Sequence, residues 1–416
     1  MIVEMKKRSL LVAKGTFEAM RGAERDLIRN LPALARHFDV TMATLQSSKE
    51  LKKCCQENSI TLLKPAIPWH PETGTLATVL NRNLRKSTKA WRSIPSLKQA
   101  LVETDAVHLV SGDGSFGLIR LVAKKTPLHL HMLEPHRGLY EDVLHRTVDG
   151  KLKRNLALTR MALAKAKRDD RRTIIGLLKR PNSRINGNSS YSAEQIRKVY
   201  ECEAGFIHPS IDFSEFSTEA SVEENAAWVE LDELPDPPWV TTVGHAGWVK
   251  GGWETISMLA GSGIGLVLVG GGVFEEIEAL HDHADARGVR LLTPPRLSNL
   301  QLTGLMRRSV AIVSLAHGEP FGLTPIEAFA VGTPALFVDE GGFRDSIEDG
   351  VNGRLLPRDD PVAWQEALNG ALDSDVRKRW ASSGRDRITE LDLSPDAHAR
   401  RIARVIEEIT EGELSG

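Results

Sequence analysis

A chain of 416 residues is too long for one ordinary hydrophobic core, so two domains are expected. No run of about 18 apolar residues exists to span a membrane. Three cysteines, Cys54 and Cys55 adjacent and Cys202 alone, give neither a disulfide framework nor a zinc spacing. The formal net charge of −1 hides a segregation: residues 1–208 hold 37 Lys/Arg against 20 Asp/Glu, and residues 209–416 hold 17 against 35. A first half this basic meets an anionic partner (membrane surface, nucleic acid or acidic acceptor) or presents a merely solvated surface.

In chain order, Lys6-Lys7-Arg8 is charged like a signal peptide, but the apolar stretch Ser9–Ala13 stops at Lys14, too short for an h-region. It reads as a first strand, and the chain as cytoplasmic. A loop to Arg21 leads to a helix from Gly22 to Arg36, with Leu27, Leu31, Leu34 and Ala35 at helical spacing, and then a strand, Phe38–Leu45. Residues 46–104 read only as polar helix and loop. Asp105–Val110 is a strand. Gly112-Asp113-Gly114-Ser115-Phe116-Gly117 follows it into a helix, a G-x-G-x-x-G for which a dinucleotide reading makes Glu134 the ribose partner. Against that reading, such a motif belongs after the first strand of its domain. Leu128–Met132, containing His131, is the next strand, and His136 and Arg137 lie in the loop beyond it.

Residues 151–184 hold twelve Lys/Arg against Asp169 and Asp170. At helical periodicity Leu152, Leu156, Leu158, Ala162, Leu163 and Ala166 share one side, and Lys153, Arg154, Arg160, Lys165, Lys167 and Arg168 the other. A cationic amphipathic helix either lies on an acidic membrane or packs its leucines on its own sheet, the commoner arrangement. Arg172–Leu178 reads as a short strand region, Ala193–Cys202 as a helix, and the acidic stretch 213–238, ending in Pro235, Pro237 and Pro238, as a link between domains.

Trp239–Val243 opens the second half as a strand, and the loop Gly244–Gly251 carries His245 and Lys250. Gly265–Val269 and Val289–Leu292 are strands on either side of a helix, Glu275–Ala286. His281 and His283 stand two apart on that helix and do not share a face, so no metal site is expected. The apolar run Val310–Leu315 reads as a buried parallel strand. The chain then turns at Gly318, Pro320 and Gly322 into a helix with Thr324 as N-cap, Pro325 at the first helical position and Glu327 at the third. Strand, glycine loop and helix start make an anion site. Two carboxylates flank it: Glu327 closes a capping box or reads a ligand hydroxyl, and Glu319 lies where open α/β sheets bind ligands. Amides for a phosphate and carboxylates for hydroxyls suit a sugar nucleotide. Ala335–Val338 is a strand and Val362–Leu372 a helix. Asp373-Ser374-Asp375 starts a helix rather than a metal loop, and the last helix begins at Ser394-Pro395 and runs to about Ile409.

The run from Glu319-Pro-Phe-Gly-Leu through Pro325, Glu327-Ala328 and Gly332-Thr333-Pro334, continued by Gly341-Gly342, Asp349-Gly350-Val351-Asn352-Gly353 and Leu356-Pro357, resembles the E-x7-E motif and tail of retaining, nucleotide-sugar-dependent glycosyltransferases of family four. Gly22-Ala23-Glu24-Arg25 is similar to that family's "GGAER", with Arg21 where the family has a glycine; a side chain there narrows the cleft or holds an acidic acceptor. Arg184–Ser192 resembles "ANSxxS", Phe206–Asp212 "hPxxD", and Gly270–Gly272 "VGxG". The resemblance implies a GT-B fold: two Rossmann-like, doubly wound parallel-sheet domains facing a central cleft, the last helix crossing back to the first. The N-terminal acceptor-binding domain would be 1–208 with the crossover helix 395–416, and the donor-binding domain 209–394.

The resemblance also implies roles. Glu319 meets the donor sugar hydroxyls, Lys250 the diphosphate, and His131 the sugar from the first domain; these three are the catalytic set. Glu327 binds the ribose, Gly22 and the amides from Phe321 through Gly322 and Leu323 to Thr324 face the donor, and the base lies at Thr293–Arg296. His245 stands where the family has an arginine on the diphosphate, so that grip is weaker, pH-dependent or shared with another cation. Arg21, His136 and Arg137 face the acceptor. The donor is a nucleotide-diphosphate sugar, with no cofactor and no metal expected. Lipid-linked sugar, polysaccharide and nucleic acid stay open as acceptors, lipid first because of the basic first half, which makes the protein peripheral on an acidic membrane. Two other readings are a non-catalytic nucleotide- or polyanion-binding protein on the same scaffold, and an NAD-dependent oxidoreductase acting through Gly112–Gly117.

Overall fold

The computed structural model describes residues 7–411 apart from 19, 21, 73, 75–78, 80, 214–215, 217–218 and 230–237. The chain divides into two compact units. The first comprises Met1–Tyr140, Ala157–Ile211 and Leu393–Gly416, and the second Glu141–Leu156 and Asp212–Asp392. The expected division at 208/209 and 394/395 did not single out 141–156, which leaves the first unit and joins the second.

The first unit is built on seven strands: β1 (Ser9–Thr16), β2 (Asp39–Gln46), β3 (Thr61–Leu63), β4 (Ala106–Val110), β5 (Leu128–His131), β6 (Ser183–Gly187) and β7 (Gly205–Phe206), in the order β3-β2-β1-β4-β5-β6-β7. Every pairing is parallel. Such a sheet is buried on both faces, so its strands are apolar without alternation. β1 shows the consequence. Leu10 and Val12 enter one core with Leu27, Leu31 and Leu34 of the helix Gly22–His37. Leu11 and Ala13 enter the opposite core with Trp91, Leu97, Ile174 and Ile196. The last helix, Pro395–Glu411, lies in this unit and closes the first core with Ala399, Ile402, Ala403, Ile406 and Ile409.

Two expectations give way here. Arg172–Leu178 is no strand but the end of one long helix, Leu156–Leu178. The buried seam of that helix is Leu163, Ala166, Asp170, Ile174 and Leu177, at helical spacing, while Leu152 and Leu158 of the expected apolar side are exposed. Leu163 and Ala166 do face inward. The seam accommodates a carboxylate because Asp170 accepts hydrogen bonds from the hydroxyls of Tyr140 and Tyr200, at 2.7 and 2.8 Å; both tyrosines lie outside the sequence window that a helical wheel examines.

The second unit carries six strands: β8 (Trp239–Val243), β9 (Gly265–Val269), β10 (Leu291–Leu292), β11 (Ile312–Ser314), β12 (Ala335–Val338) and β13 (Gly353–Leu356), in the order β10-β9-β8-β11-β12-β13 and parallel throughout. Helices Gly252–Leu259, Phe274–Arg287, Asn299–Arg308 and Pro361–Leu372 flank it. Asp373 caps the helix Ser374–Leu391 by accepting from the Asp375 and Val376 amides. Among the described residues no helix is long and apolar enough to cross a membrane.

Candidate active site

In the second sheet the strand order reverses between β8 and β11, and ligands of open α/β sheets lie at such a switch, beyond the carboxyl ends of the strands. The two loops that leave those strands carry Lys250 and Glu319. The Lys250 Nζ stands 2.7 Å from Glu319 Oε2, with 30% and 22% of the side chains exposed. The pair lines a pocket with Ser314, Gly322, Leu323 and Thr324. The loops are also joined through their backbones, since the His317 N–H donates to the Val249 carbonyl at 2.9 Å.

The Glu319 loop is held from two sides. Gly341 and Gly342 press on it so closely that a Cβ would fall 2.5 Å from the Glu319 carbonyl oxygen and 2.3 Å from that of Pro320. The Gly342 amide donates to the Glu319 carbonyl at 2.8 Å. Beneath the loop, the Arg358 guanidinium forks onto Glu340, at 2.9 and 2.7 Å, and reaches Glu254 at 3.1 Å and the Leu315 carbonyl at 2.6 Å. Glu254 also bonds the His317 Nε2, at 2.8 Å. Burial raises the Glu340 carboxyl, but the Arg358 fork outweighs it and holds the pKa below the usual carboxylate range. Sequence reading missed Arg358 and Glu254: the only local signal of Arg358 was a charge two residues after the strand Gly353–Leu356, and Glu254 looked like an ordinary acid in the first turn of a helix.

Of the other expected donor residues of this unit, Gly322, Leu323 and Thr324 line the pocket, and His245, Phe321 and Glu327 are not part of its lining. His245 is exposed, and its Nδ1 accepts from the Gly247 amide at 3.1 Å. A neutral ring so held carries its proton on Nε2 and offers one donor. Phe321 is 2% exposed, so its side chain belongs to the core and only its backbone is left to face a ligand. The capping box is not formed as expected: the helix is Thr324–Ala330, Leu323 occupies the N-cap in helical conformation, and no side chain caps it. Thr324 lies one position inside, so Glu327 is not its third residue. Three-residue spacing alone does not fix which residue is the cap, because Pro325 is compatible with the first or second position. On the helix Phe274–Arg287, His281 bonds Thr293 and His283 stacks on Trp253. Among the described residues no cluster of three or more His, Cys, Asp or Glu is arranged for a metal ion.

The remaining expected residues lie in the first unit, except that Arg21 is outside the described residues. Gly22 opens its helix, and a Cβ there would meet nothing within 4 Å. His136 is exposed, and Arg137 lies 3.7 Å from Glu134. His131 ends β5 at 2% exposure, its ring 5.8 to 6.2 Å from those of His398, His108 and His129. Burial, then His398 and His129, holds its pKa well below the usual range, so the ring is neutral. The histidine cluster was invisible in sequence because its members come from β4, β5 and the last helix.

A buried lysine was missed as well. Lys14 continues β1 at 2% exposure, donates to the Ser111 carbonyl at 2.9 Å and pairs with Glu24 at 3.1 Å. The signal was present: a lysine directly after four apolar strand residues, ten positions before an acid in a helix's first turn. The Gly112–Gly117 loop is filled by protein. A Cβ on Gly112 would meet the Lys14 amine at 2.7 Å, one on Gly114 the Trp69 ring at 2.6 Å and one on Gly117 the Ser87 side chain at 2.6 Å. The space a pyrophosphate needs against these glycines is occupied, and the helix beyond is one turn, Phe116–Ile119. The oxidoreductase reading has no site here.

Comparison with known proteins agrees with this picture. Residues 230–387 match the family described as glycosyl transferases group 1. A D-inositol 3-phosphate glycosyltransferase of Xylanimonas cellulosilytica is 30% identical over 205 residues, 46% of this chain and 49% of the relative. A phosphatidyl-myo-inositol mannosyltransferase of Mycobacterium leprae is 38% identical over 93 residues, 22% and 24% of the two chains. The chain thus spans about half the length, or less, of the curated relatives it matches. Among solved structures, a Rickettsia africae glycosyltransferase superposes with a TM-score of 0.67 at 14% identity, over 97% of this chain and 98% of the other. The Anabaena HepE protein, solved in complex with UDP and glucose, gives 0.66 at 16% identity, over 96% and 100%. At such identities the likeness shows the fold, which is GT-B.

Proposed function

We propose, from the match of residues 230–387 to the glycosyl transferases group 1 family, that the protein is a retaining glycosyltransferase that moves a sugar from a nucleotide-diphosphate sugar to an acceptor hydroxyl. The observation that carries this reading is the Lys250–Glu319 pair at the switch point of the second sheet. Breaking the sugar–phosphate bond leaves a diphosphate that gains negative charge, and a positioned cation lowers the cost of that charge. Lys250 is the cation. Glu319, an acceptor of hydrogen bonds only, takes donor sugar hydroxyls. A partly exposed ion pair is worth only about 0–1 kcal/mol, so an arriving diphosphate competes for the lysine at little cost. Until then Glu319 keeps the ammonium at the mouth of the pocket.

Glu327 as ribose ligand, His245 as a diphosphate donor and His131 as the residue nearest the sugar in the first unit rest on the motif resemblance. Gly22, Arg21, His136 and Arg137 on the donor and acceptor sides rest on it equally. The acceptor we assign is anionic. The two relatives named above carry inositol 3-phosphate and phosphatidyl-inositol in their names, both anionic, and the first half of this chain holds 37 Lys/Arg against 20 Asp/Glu. A lipid-linked acceptor draws further support from the helix Leu156–Leu178, whose exposed residues mix Leu158 and Met161 with Lys165, Arg168 and Arg172.

The test is turnover with a panel of UDP-, GDP-, ADP- and dTDP-sugars, followed by assignment of the product anomer by NMR. One donor is expected to be consumed with retention. No turnover with any donor, together with no thermal shift from any nucleoside diphosphate, overturns the transferase.

A further inference from the structure

The chain leaves the first unit at Tyr140, makes an excursion onto the second, and returns at Ala157. The excursion is a small hairpin. Arg146 and Leu152 form an antiparallel bridge, the Thr147 amide donates to the Lys151 carbonyl at 2.8 Å, and the Lys153 amide donates to that of His145 at 2.9 Å. The Arg146 guanidinium donates to the Gly150 carbonyl at 2.6 Å and closes the tip. Of residues 141–156 only Val148 is buried, so the hairpin is not part of the unit's core.

What the tip touches is the donor site's own scaffold. Gly150 has φ +80° and lies so near the Trp248 ring that a Cβ would stand 2.7 to 3.0 Å from three of its atoms. Trp248 begins the short turn Trp248–Lys250, and its ring stacks on His317 with centroids 4.9 Å apart and planes 29° apart. The turn Val143–His145 packs on the same Trp248–Lys250 turn. A continuous column therefore runs from Gly150 through Trp248 to His317, two residues before Glu319 and with Lys250 at the end of the turn it pins.

We propose that the hairpin 145–153 is a positioning strap for the donor half-site, which seats Trp248 against His317 and so sets the two loops that present Lys250 and Glu319. Nothing in it touches reacting atoms; it acts through Trp248. Its consequence for donor binding rests on the transferase reading, whereas its consequence for the loops does not.

The experiment is accordingly double. In the ligand-free protein, Gly150→Val puts a branched side chain where no Cβ fits, and amide exchange at 248–251 and 317–319 is expected to speed up about tenfold while the core strands stay protected. Unchanged exchange in those segments overturns the strap. The second arm titrates UDP, GDP, ADP and dTDP against wild type and then carries any nucleotide that binds through Gly150→Val, Trp248→Leu and the double variant. Each single variant is expected to weaken binding about tenfold, and the double variant no more than Trp248→Leu alone, because the two changes remove one contact. Losses that simply multiply, or a full-affinity Gly150→Val, overturn the proposal. If wild type binds none of the four nucleotides, the transferase reading is what fails, and the exchange result alone decides the strap.

Discussion

Lys250 and Arg358 are both paired cations of the second unit, yet removing them should have opposite signatures. Lys250 meets one carboxylate and is 30% exposed. Its pair contributes at most about 1 kcal/mol to folding. Lys250→Ala is therefore expected to leave the melting temperature nearly unchanged while kcat/KM falls by the equivalent of about 3 kcal/mol, the scale of one oxyanion-type donor. Full turnover in that variant removes Lys250 from the mechanism. Arg358 forks onto Glu340, reaches Glu254 and binds the carbonyls of Leu315 and Ala316. Arg358→Ala strands these partners and should cost about 2 kcal/mol or more in urea unfolding, with activity lost as well. Arg358→Lys is expected not to rescue either, because an ammonium cannot reproduce the planar fork; a lysine variant with wild-type stability and turnover would show that charge alone suffices.

At the scale of elements, the helix Leu156–Leu178 shows where periodicity stops informing. Its length exceeds the expected helix because Arg172–Leu178, despite the β-branched Thr173, Ile174 and Ile175 and the glycine Gly176, is kept helical by tertiary burial of Ile174 and Leu177. Its seam was half legible: Leu163 and Ala166 were placed correctly, while Leu158 at 63% and Met161 at 72% exposure face outward beside Lys165, Arg168 and Arg172. An outward face of that composition is expected to sediment with acidic vesicles at low salt and to be released at high salt, each exposed cation adding about 1 kcal/mol or less. Leu158→Glu with Met161→Glu should abolish the binding; salt-insensitive or absent sedimentation of the wild type rejects the membrane reading. The strands around the candidate site were read more fully, because parallel strands buried on both faces announce themselves as apolar runs between glycine turns. Lys250 and Glu319 were legible by their place after such runs. Arg358, Glu254 and the Gly150 hairpin were not, since each matters through a partner far away in sequence.

The whole first unit is tied together late in the chain, where the last helix brings His398 beside β4 and β5 and its Nδ1 within 2.7 Å of the His208 carbonyl. His108, His129 and His131 complete a set of imidazoles: His108 and His129 share a 2.9 Å contact between Nδ1 atoms, and the Nε2 atoms of all three are buried without a hydrogen-bond partner. Burial lowers the pKa of His129 to about 3 and those of His108 and His131 well below the usual value. The sign follows. An unfolded histidine titrates near 6.5, so below that pH the unfolded chain takes up protons that the folded unit refuses, and stability falls as pH falls. The contribution is complete above about pH 6.5 and drains away toward about pH 3. For His129 alone the loss between neutrality and about pH 5 is about 2 kcal/mol, with the other two rings adding to it in the same direction. Urea unfolding of the first unit at about pH 7 and about pH 5 should show this slope, and His129→Gln, which cannot titrate, should flatten it by that amount. An identical slope in the variant would show that His129 does not carry the acid sensitivity; Glu340 cannot stand in for it, because a carboxyl held below the usual range by its Arg358 fork keeps its contribution down to about pH 4.5 and loses it only in more acid solution.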